Sequence, residues 1–95
     1  MRCEWDEAKE AVNLAKHGVS FAPVARFEWR TAREVEDVRY DYGERRWRAI
    51  GMIDGRLHVL VYTDRSDVIR VISLRKANAR EEKAYARDRS SKTAG

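Results

Sequence analysis

The sequence predicts an α+β fold with two N-terminal helices, a four-stranded antiparallel sheet and a C-terminal helix. Two observations indicate this order of elements. Apolar residues recur at helical spacing before residue 30 and alternate with polar residues after it, as in strands. At 95 residues the chain is long enough for one domain, which we expect over residues 1–89, with a disordered tail over residues 90–95.

Capping signals define the two N-terminal helices. Asp6 is a favourable N-cap, and Gly18 can end the helix in the left-handed conformation, which predicts a first helix over residues 7–17. Ser20 can cap a second, shorter helix over residues 21–29. Pro23 would lie in its first turn, where the missing N–H has no intrahelical partner to lose.

Four strands are expected over residues 33–42, 45–53, 56–64 and 68–74, and Asp54-Gly55 is a strong signal for a two-residue hairpin. The last of these segments is apolar on both faces, as in a central strand. Residues 2–5 are compatible with a short edge strand. Asn78 and Glu81 have the spacing of a capping box and predict a final helix over residues 79–88.

Composition excludes several classes of protein. The single cysteine, Cys3, rules out an internal disulfide and any cysteine metal cluster, and two separate histidines make a zinc site unfavourable, so we expect no metal and no cofactor. No apolar run approaches the length of a membrane span, and the first residues lack the apolar region of a signal peptide. We therefore expect a cytoplasmic protein that does not enter membranes.

Charge is divided unevenly along the chain. Residues 1–44 contain seven basic and ten acidic side chains, whereas residues 45–95 contain thirteen basic and six acidic ones. A basic half is typical of proteins that bind a polyanion, although an arginine-rich surface in solvent gives the same count.

Arg70 stands inside an otherwise apolar strand, so its guanidinium must be paired or must face a groove open to solvent. Strict alternation places Lys76 on the face of Arg70 and Arg75 on the opposite one, while Arg46 and Arg48 share a face of their own strand. Arginines that converge on one side of a sheet can hold a phosphodiester and stabilise charge in its transition state. The alternative is that Arg70 pairs with a carboxylate such as Asp64 or Asp67.

Aromatic side chains also fit two interpretations. Tyr62 and Tyr85 can stack on the bases of single-stranded RNA, or they can simply pack in the core or onto the sheet.

Several segments together resemble the BrnT toxin family over about residues 4–87. They lie in the order of the family's motifs and are Glu4-Trp5-Asp6 with Lys9 and Asn13, Lys16-His17-Gly18-Val19-Ser20-Phe21, Glu44-x-Arg46-Trp47-x-x-Ile50-Gly51, Tyr62-Thr63-x-Arg65, and Ile69-Arg70-Val71-Ile72-Ser73-x-Arg75-Lys76-Ala77, followed by Glu81 and Tyr85. Each piece alone is weak evidence, but their order is specific.

The resemblance implies a RelE-like ribonuclease toxin of a type II toxin–antitoxin system. Such a protein cleaves RNA without metal, through attack by the 2′-hydroxyl, and arrests translation. A ribbon-helix-helix antitoxin of the BrnA type would neutralise it, and the complex would bind operator DNA and repress its own operon. Dimerisation within that complex is left open.

Site residues follow from the resemblance together with the residue patterns described above. The expected catalytic residues are Arg65, Arg70, Arg75, Lys76 and Tyr85, and the expected RNA-binding residues are Arg46, Arg48 and Tyr62. The general base stays open among Tyr62, Tyr85, His17 and Lys76, because the guanidinium of arginine stays protonated and cannot accept a proton. From the residues alone, two other functions remain: a nucleic-acid-binding module without catalysis, and an interaction protein whose arginines meet an acidic partner.

Overall fold

A computed structural model describes the backbone of residues 2–94 and the side chains of residues 2–88. The elements follow in the order β1 (Arg2–Trp5), α1 (Glu7–His17), a 3₁₀ helix (Ala22–Arg26), β2 (Glu28–Asp37), β3 (Arg46–Ile53), β4 (Arg56–Arg65), β5 (Val68–Lys76) and α2 (Ala79–Ala94). The expected tail over residues 90–95 lies outside the described side chains. Among the described residues, no helix is both long and apolar enough to span a bilayer.

The sheet has five strands in the order β1-β5-β4-β3-β2, so the expectation of four antiparallel strands is wrong. The segment at residues 2–5 does form an edge strand, and it pairs with β5 in parallel, with Glu4 beside Arg70. The other pairings are antiparallel. Asp54 and Gly55 both have positive φ angles, 50° and 78°, which confirms the two-residue hairpin between β3 and β4.

The expected second helix is also wrong, because only five residues, Ala22–Arg26, form a 3₁₀ helix. Pro23 lies at its start, and Phe27 is already extended, with φ −65° and ψ 126°. The chain then enters β2 at Glu28, five residues earlier than expected, and leaves it at Asp37. Cross-strand pairing with β3 thus overrides the local preference for a helix.

One face of the sheet, here called the helix-1 face, packs against α1 and the 3₁₀ helix. Its core contains Phe21, Val24, Leu60 and Leu74, which are fully buried or nearly so. The buried Asn13 fixes α1 to the sheet, because its side-chain amide donates to Leu74 O at 2.7 Å and its Oδ1 accepts from Leu74 N at 3.1 Å.

The opposite face, here called the helix-2 face, packs against α2 over part of its area. Leu57, Val59, Ala77 and Tyr85 form a smaller buried cluster there. Leu57 and Val59 therefore lie on one face and Leu60 on the other, as alternation along β4 predicts.

An irregularity in β5 changes which of its side chains share a face. Tyr62 pairs with Val71, but the preceding residue Val61 pairs with Ser73, so Ile72 is an extra residue in β5. Such a bulge reverses the alternation beyond it. Arg75 therefore projects to the face of Arg70.

Candidate functional site

Five arginines of β3, β4 and β5 lie on the helix-2 face, and we call them the arginine patch. Paired residues of an antiparallel sheet project to the same face. Arg48 pairs with Val61, Arg70 with Thr63, and Arg75 with Val59, while Arg46 and Arg65 follow by alternation along β3 and β4. The patch comprises Arg46, Arg48, Arg65, Arg70 and Arg75, all of which the sequence identified as candidates.

Arg75 is held by the start of α2. Its Nη1 and Nη2 donate to Glu81 Oε1 and Oε2 at 2.8 and 2.7 Å. Glu81 also accepts from Asn78 N at 2.9 Å, and Glu81 N donates to Asn78 Oδ1 at 2.8 Å, which confirms the capping box. These hydrogen bonds, with that of Arg75 the strongest influence, lower the pKa of Glu81 to about 2. Glu81 therefore stays ionised and fixes one guanidinium at the patch.

Arg70 and Arg46 have looser partners. Arg70 Nη1 lies 3.7 Å from Glu4 Oε1, so the countercharge comes from β1 rather than from Asp64 or Asp67. Arg46 donates from Nε to Glu44 Oε2 at 3.3 Å, and its guanidinium carbon lies 4.0 Å from the ring centroid of Tyr42. Both contacts are long and partly exposed, so a phosphate can replace either carboxylate at little cost.

The chain between β2 and β3 is anchored beside Arg46 by the carboxylate of Asp37, whose side chain is only 2% exposed. Asp37 accepts two hydrogen bonds from the Arg39 guanidinium, both at 2.9 Å, and one from the Tyr42 hydroxyl at 3.1 Å. These bonds, that of Arg39 above all, hold the pKa of Asp37 well below its usual range. The Tyr42 ring is thereby fixed under Arg46.

The side chains of Arg48 and Arg65 make no hydrogen bond or ion pair with any residue whose side chain the structure describes. Arg48 is nevertheless close enough to Glu81 for its charge to contribute to the low pKa of that carboxyl. Arg65 ends β4 and is exposed. The positive charges of these two side chains are therefore not neutralised by direct contact with a carboxylate among the described side chains.

Two of the expected site residues project to the other face. Lys76 pairs with His58 and lines a hollow beside the end of α1, because the bulge in β5 separates it from Arg70. Tyr62 lies in the helix-1 core and donates its hydroxyl to Glu34 Oε1. Burial, and then that bond, raises the pKa of Tyr62. The structure therefore does not bring Lys76 or Tyr62 into the arginine patch.

Tyr85 lies on the helix-2 face, but within its apolar cluster rather than among the arginines. It is buried, and its hydroxyl donates to the carbonyl oxygen of Thr31 at 2.6 Å. His17 ends α1 next to Gly18, where burial, the neighbouring Lys16 and the charge of Arg75 lower its pKa. Tyr85 therefore has a packing role in this structure, and His17 is not part of the patch.

Sequence reasoning missed the groups between and around the arginines. Thr63 lies on β4 between two patch arginines, and Glu4 and Glu44 supply their countercharges. Alternation from Val61 gives the face of Thr63, so the sequence pattern could have identified that residue. The sequence could not predict the pairing of Glu4 with Arg70, because that pairing depends on the parallel register of β1.

The patch can bind phosphate groups by exchange of its acidic partners. Guanidinium groups offer paired N–H donors that match phosphate oxygens. Within the residues whose side chains are described, no group of three or more His, Cys, Asp or Glu side chains is placed to hold a metal ion. The arginines supply this face with fixed positive charge and hydrogen-bond donors.

Comparison with known families finds a match over most of the chain. The family model for BrnT, described as a ribonuclease toxin of a type II toxin–antitoxin system, matches residues 5–81. This range runs from the last residue of β1 to the start of α2 and includes all five patch arginines. No curated protein matches the chain.

Proposed function

The chain belongs to the BrnT family of ribonuclease toxins from type II toxin–antitoxin systems, and on this premise we propose that it cleaves RNA at the arginine patch without a metal ion. One observation above all supports placing the reaction at the arginine patch. Register and the bulge in β5 bring five arginines to one face, and three of them have a carboxylate partner from outside the patch.

In the proposed reaction the 2′-hydroxyl of the RNA is the nucleophile. Its oxygen attacks the adjacent phosphorus while the bond from phosphorus to the 5′-oxygen breaks. The 2′-hydroxyl proton passes to water, and the departing 5′-oxygen takes a proton from water. The products are a 2′,3′-cyclic phosphate and a 5′-hydroxyl. Arg46 and Arg70 would hold the phosphate, and the patch would stabilise the negative charge that develops on its oxygens.

The roles of the remaining arginines follow from their partners. Arg75 is held rigidly by Glu81, which suits a group that must be positioned before the substrate arrives. Arg48 and Arg65 would contact flanking phosphates, because their charges have no direct carboxylate partner among the described side chains.

Partners follow from the family. A type II system pairs the toxin with a protein antitoxin, and we propose an antitoxin of the BrnA type with a ribbon-helix-helix DNA-binding part. The complex of the two would repress its own operon, so operator DNA would be bound only through the antitoxin. RNA cleavage in the cytoplasm would arrest translation.

A second function is supported by the carboxylates that contact the patch. Glu4, Glu44 and Glu81 show that acidic side chains fit these guanidinium groups. An acidic segment of the antitoxin would bind in the same way. The patch would then be a protein- or nucleic-acid-binding surface without catalysis.

Cleavage of end-labelled RNA in excess chelator tests the proposal. The wild-type protein should leave 2′,3′-cyclic phosphate ends, and RNA with 2′-deoxy sugars should remain intact. The double variant Arg70→Ala, Arg75→Ala should lower the cleavage rate by about 10³-fold or more, because two donors to the transition state are lost.

The matched control is Arg26→Ala, which removes an exposed arginine paired with Asp54 away from the patch. This control should cleave like wild type. If the double variant also cleaves like wild type, the site assignment is wrong. If the wild-type protein binds RNA but does not cleave it, with or without ribosomes, the non-catalytic function is the correct one.

A further inference from the structure

A single row of side chains crosses the whole sheet on the helix-2 face. Glu4 pairs with Arg70, Arg70 with Thr63, and Asp37 with Arg46, and Arg46 lies across from Thr63 because the next residues, Trp47 and Tyr62, are paired. The row therefore reads acid, arginine, threonine, arginine, acid. Thr63 occupies its centre on the middle strand.

The hydroxyl of Thr63 is the anomaly in this row. The residue is 4% exposed, and Oγ1 is buried without a hydrogen-bond partner. More than nine-tenths of buried polar groups in proteins have a partner. Valine has the same shape, a higher preference for strands and no hydroxyl to satisfy, so packing alone favours valine at this position.

The two arginines beside Thr63 on the neighbouring strands are themselves largely buried. Arg46 and Arg70 flank Thr63, and their side chains are only 21% and 34% exposed. Long arginine side chains lie along apolar surface and keep the charged end in water. Both charged ends are tied to carboxylates by contacts of 3.3 and 3.7 Å, so an incoming anion can draw them away and uncover Oγ1.

The spacing suits a phosphate group. Adjacent strands are about 4.8 Å apart, which places the backbones of Arg46 and Arg70 about 10 Å apart, with Thr63 midway. Two guanidinium groups that turn inward across this gap can hold one phosphate between them. The hydroxyl beneath can then donate to an oxygen that the arginines leave unpaired.

We propose that the Thr63 hydroxyl donates a hydrogen bond to a non-bridging oxygen of the RNA phosphate that Arg46 and Arg70 hold. This role rests on the proposed function and adds a neutral donor to it. Thr63 is thereby a substrate-binding residue whose partner is the substrate itself, which accounts for the hydroxyl that the folded chain leaves unsatisfied.

Two substitutions at one position test the proposal. Thr63→Val removes the hydroxyl at constant shape, and Thr63→Ser keeps the hydroxyl. Cleavage of an RNA oligomer and unfolding by urea are measured for both and for wild type. Thr63→Val should be at least as stable as wild type yet cleave about 10- to 100-fold more slowly, whereas Thr63→Ser should cleave within about threefold of wild type.

Binding to an uncleavable RNA with 2′-deoxy sugars provides a second measurement. Thr63→Val should weaken this binding, and Thr63→Ser should not. The proposal is wrong if Thr63→Val cleaves and binds like wild type, or if its activity falls only in step with lost stability. If the wild-type protein neither cleaves nor binds RNA, the proposed function fails first, and the role of Thr63 fails with it.

Discussion

The helix-1 face of the sheet is covered by α1 and the 3₁₀ helix, whereas the helix-2 face is covered partly by α2 and partly by arginine side chains. On the first face, side chains such as Leu60, Val71 and Leu74 are excluded from water and stabilise the fold by burial. On the arginine half of the second face, Val61 and Thr63 are buried among long charged side chains whose ends remain partly exposed.

This difference separates stability from function. A small domain has one main core, and here the helix-1 face supplies it. The arginine half can therefore keep polar groups that lack a hydrogen-bond partner in the protein without substrate, such as the Thr63 hydroxyl. Substitutions in the helix-1 core should mainly change stability, and those of the arginines on the second face should mainly change RNA cleavage.

The largest loss of stability is expected for Leu60→Ala, because Leu60 is 0% exposed and lies in the helix-1 core. The cavity and the lost burial should lower the free energy of unfolding by about 3 kcal/mol. Urea unfolding followed by circular dichroism measures this. The exposed Val12→Ala is the control and should change stability by less than about 0.5 kcal/mol. A loss below about 1 kcal/mol for Leu60→Ala would show that this face is not the main core.

A smaller loss in the free energy of unfolding, about 1 kcal/mol at pH 7, is expected for Glu81→Gln. This substitution breaks the paired hydrogen bonds with Arg75. The folded protein holds the pKa of Glu81 at about 2, against an ordinary value of 4.5. A lowered pKa stabilises the fold above the ordinary value, and that contribution is lost as pH falls from about 4.5 to 2. The difference between wild type and Glu81→Gln should therefore shrink over this range.

Unfolding free energies of both proteins from pH 7 to pH 2 provide the measurement. Glu82→Gln is the matched control, because Glu82 is the next residue and has only a 3.6 Å contact with Arg56. A difference that stays constant down to pH 2 would mean that the carboxylate of Glu81 does not stabilise the fold through its charge.

Local patterns in the sequence predict the elements whose signals are local. The Asp6 and Gly18 caps define α1, Asp54-Gly55 defines the hairpin, and Asn78 with Glu81 marks the start of α2. Each depends on backbone conformation or hydrogen bonds within a few residues, so the sequence contains the necessary information.

The errors concern long-range pairing. Residues 28–32 join β2 because Glu28 pairs with Met52 on β3, not because of their own preference. The bulge at Ile72 results from the registers of β4 and β5, and it alone decides that Arg75 rather than Lys76 shares the face of Arg70. The five arginines were therefore identifiable as candidates, but their arrangement required the register of the whole sheet.

The double variant Arg46→Ala, Arg70→Ala removes the two arginines that flank Thr63. We expect it to have the smallest effect on stability and a large effect on activity. Both arginines make only loose ion pairs, so unfolding by urea should show a loss of about 1 kcal/mol or less. The cleavage rate of the same preparation, measured in excess chelator, should fall by about 100-fold or more. Unchanged cleavage at unchanged stability would contradict the account, because the arginine half of the sheet would then not be the site that acts on RNA.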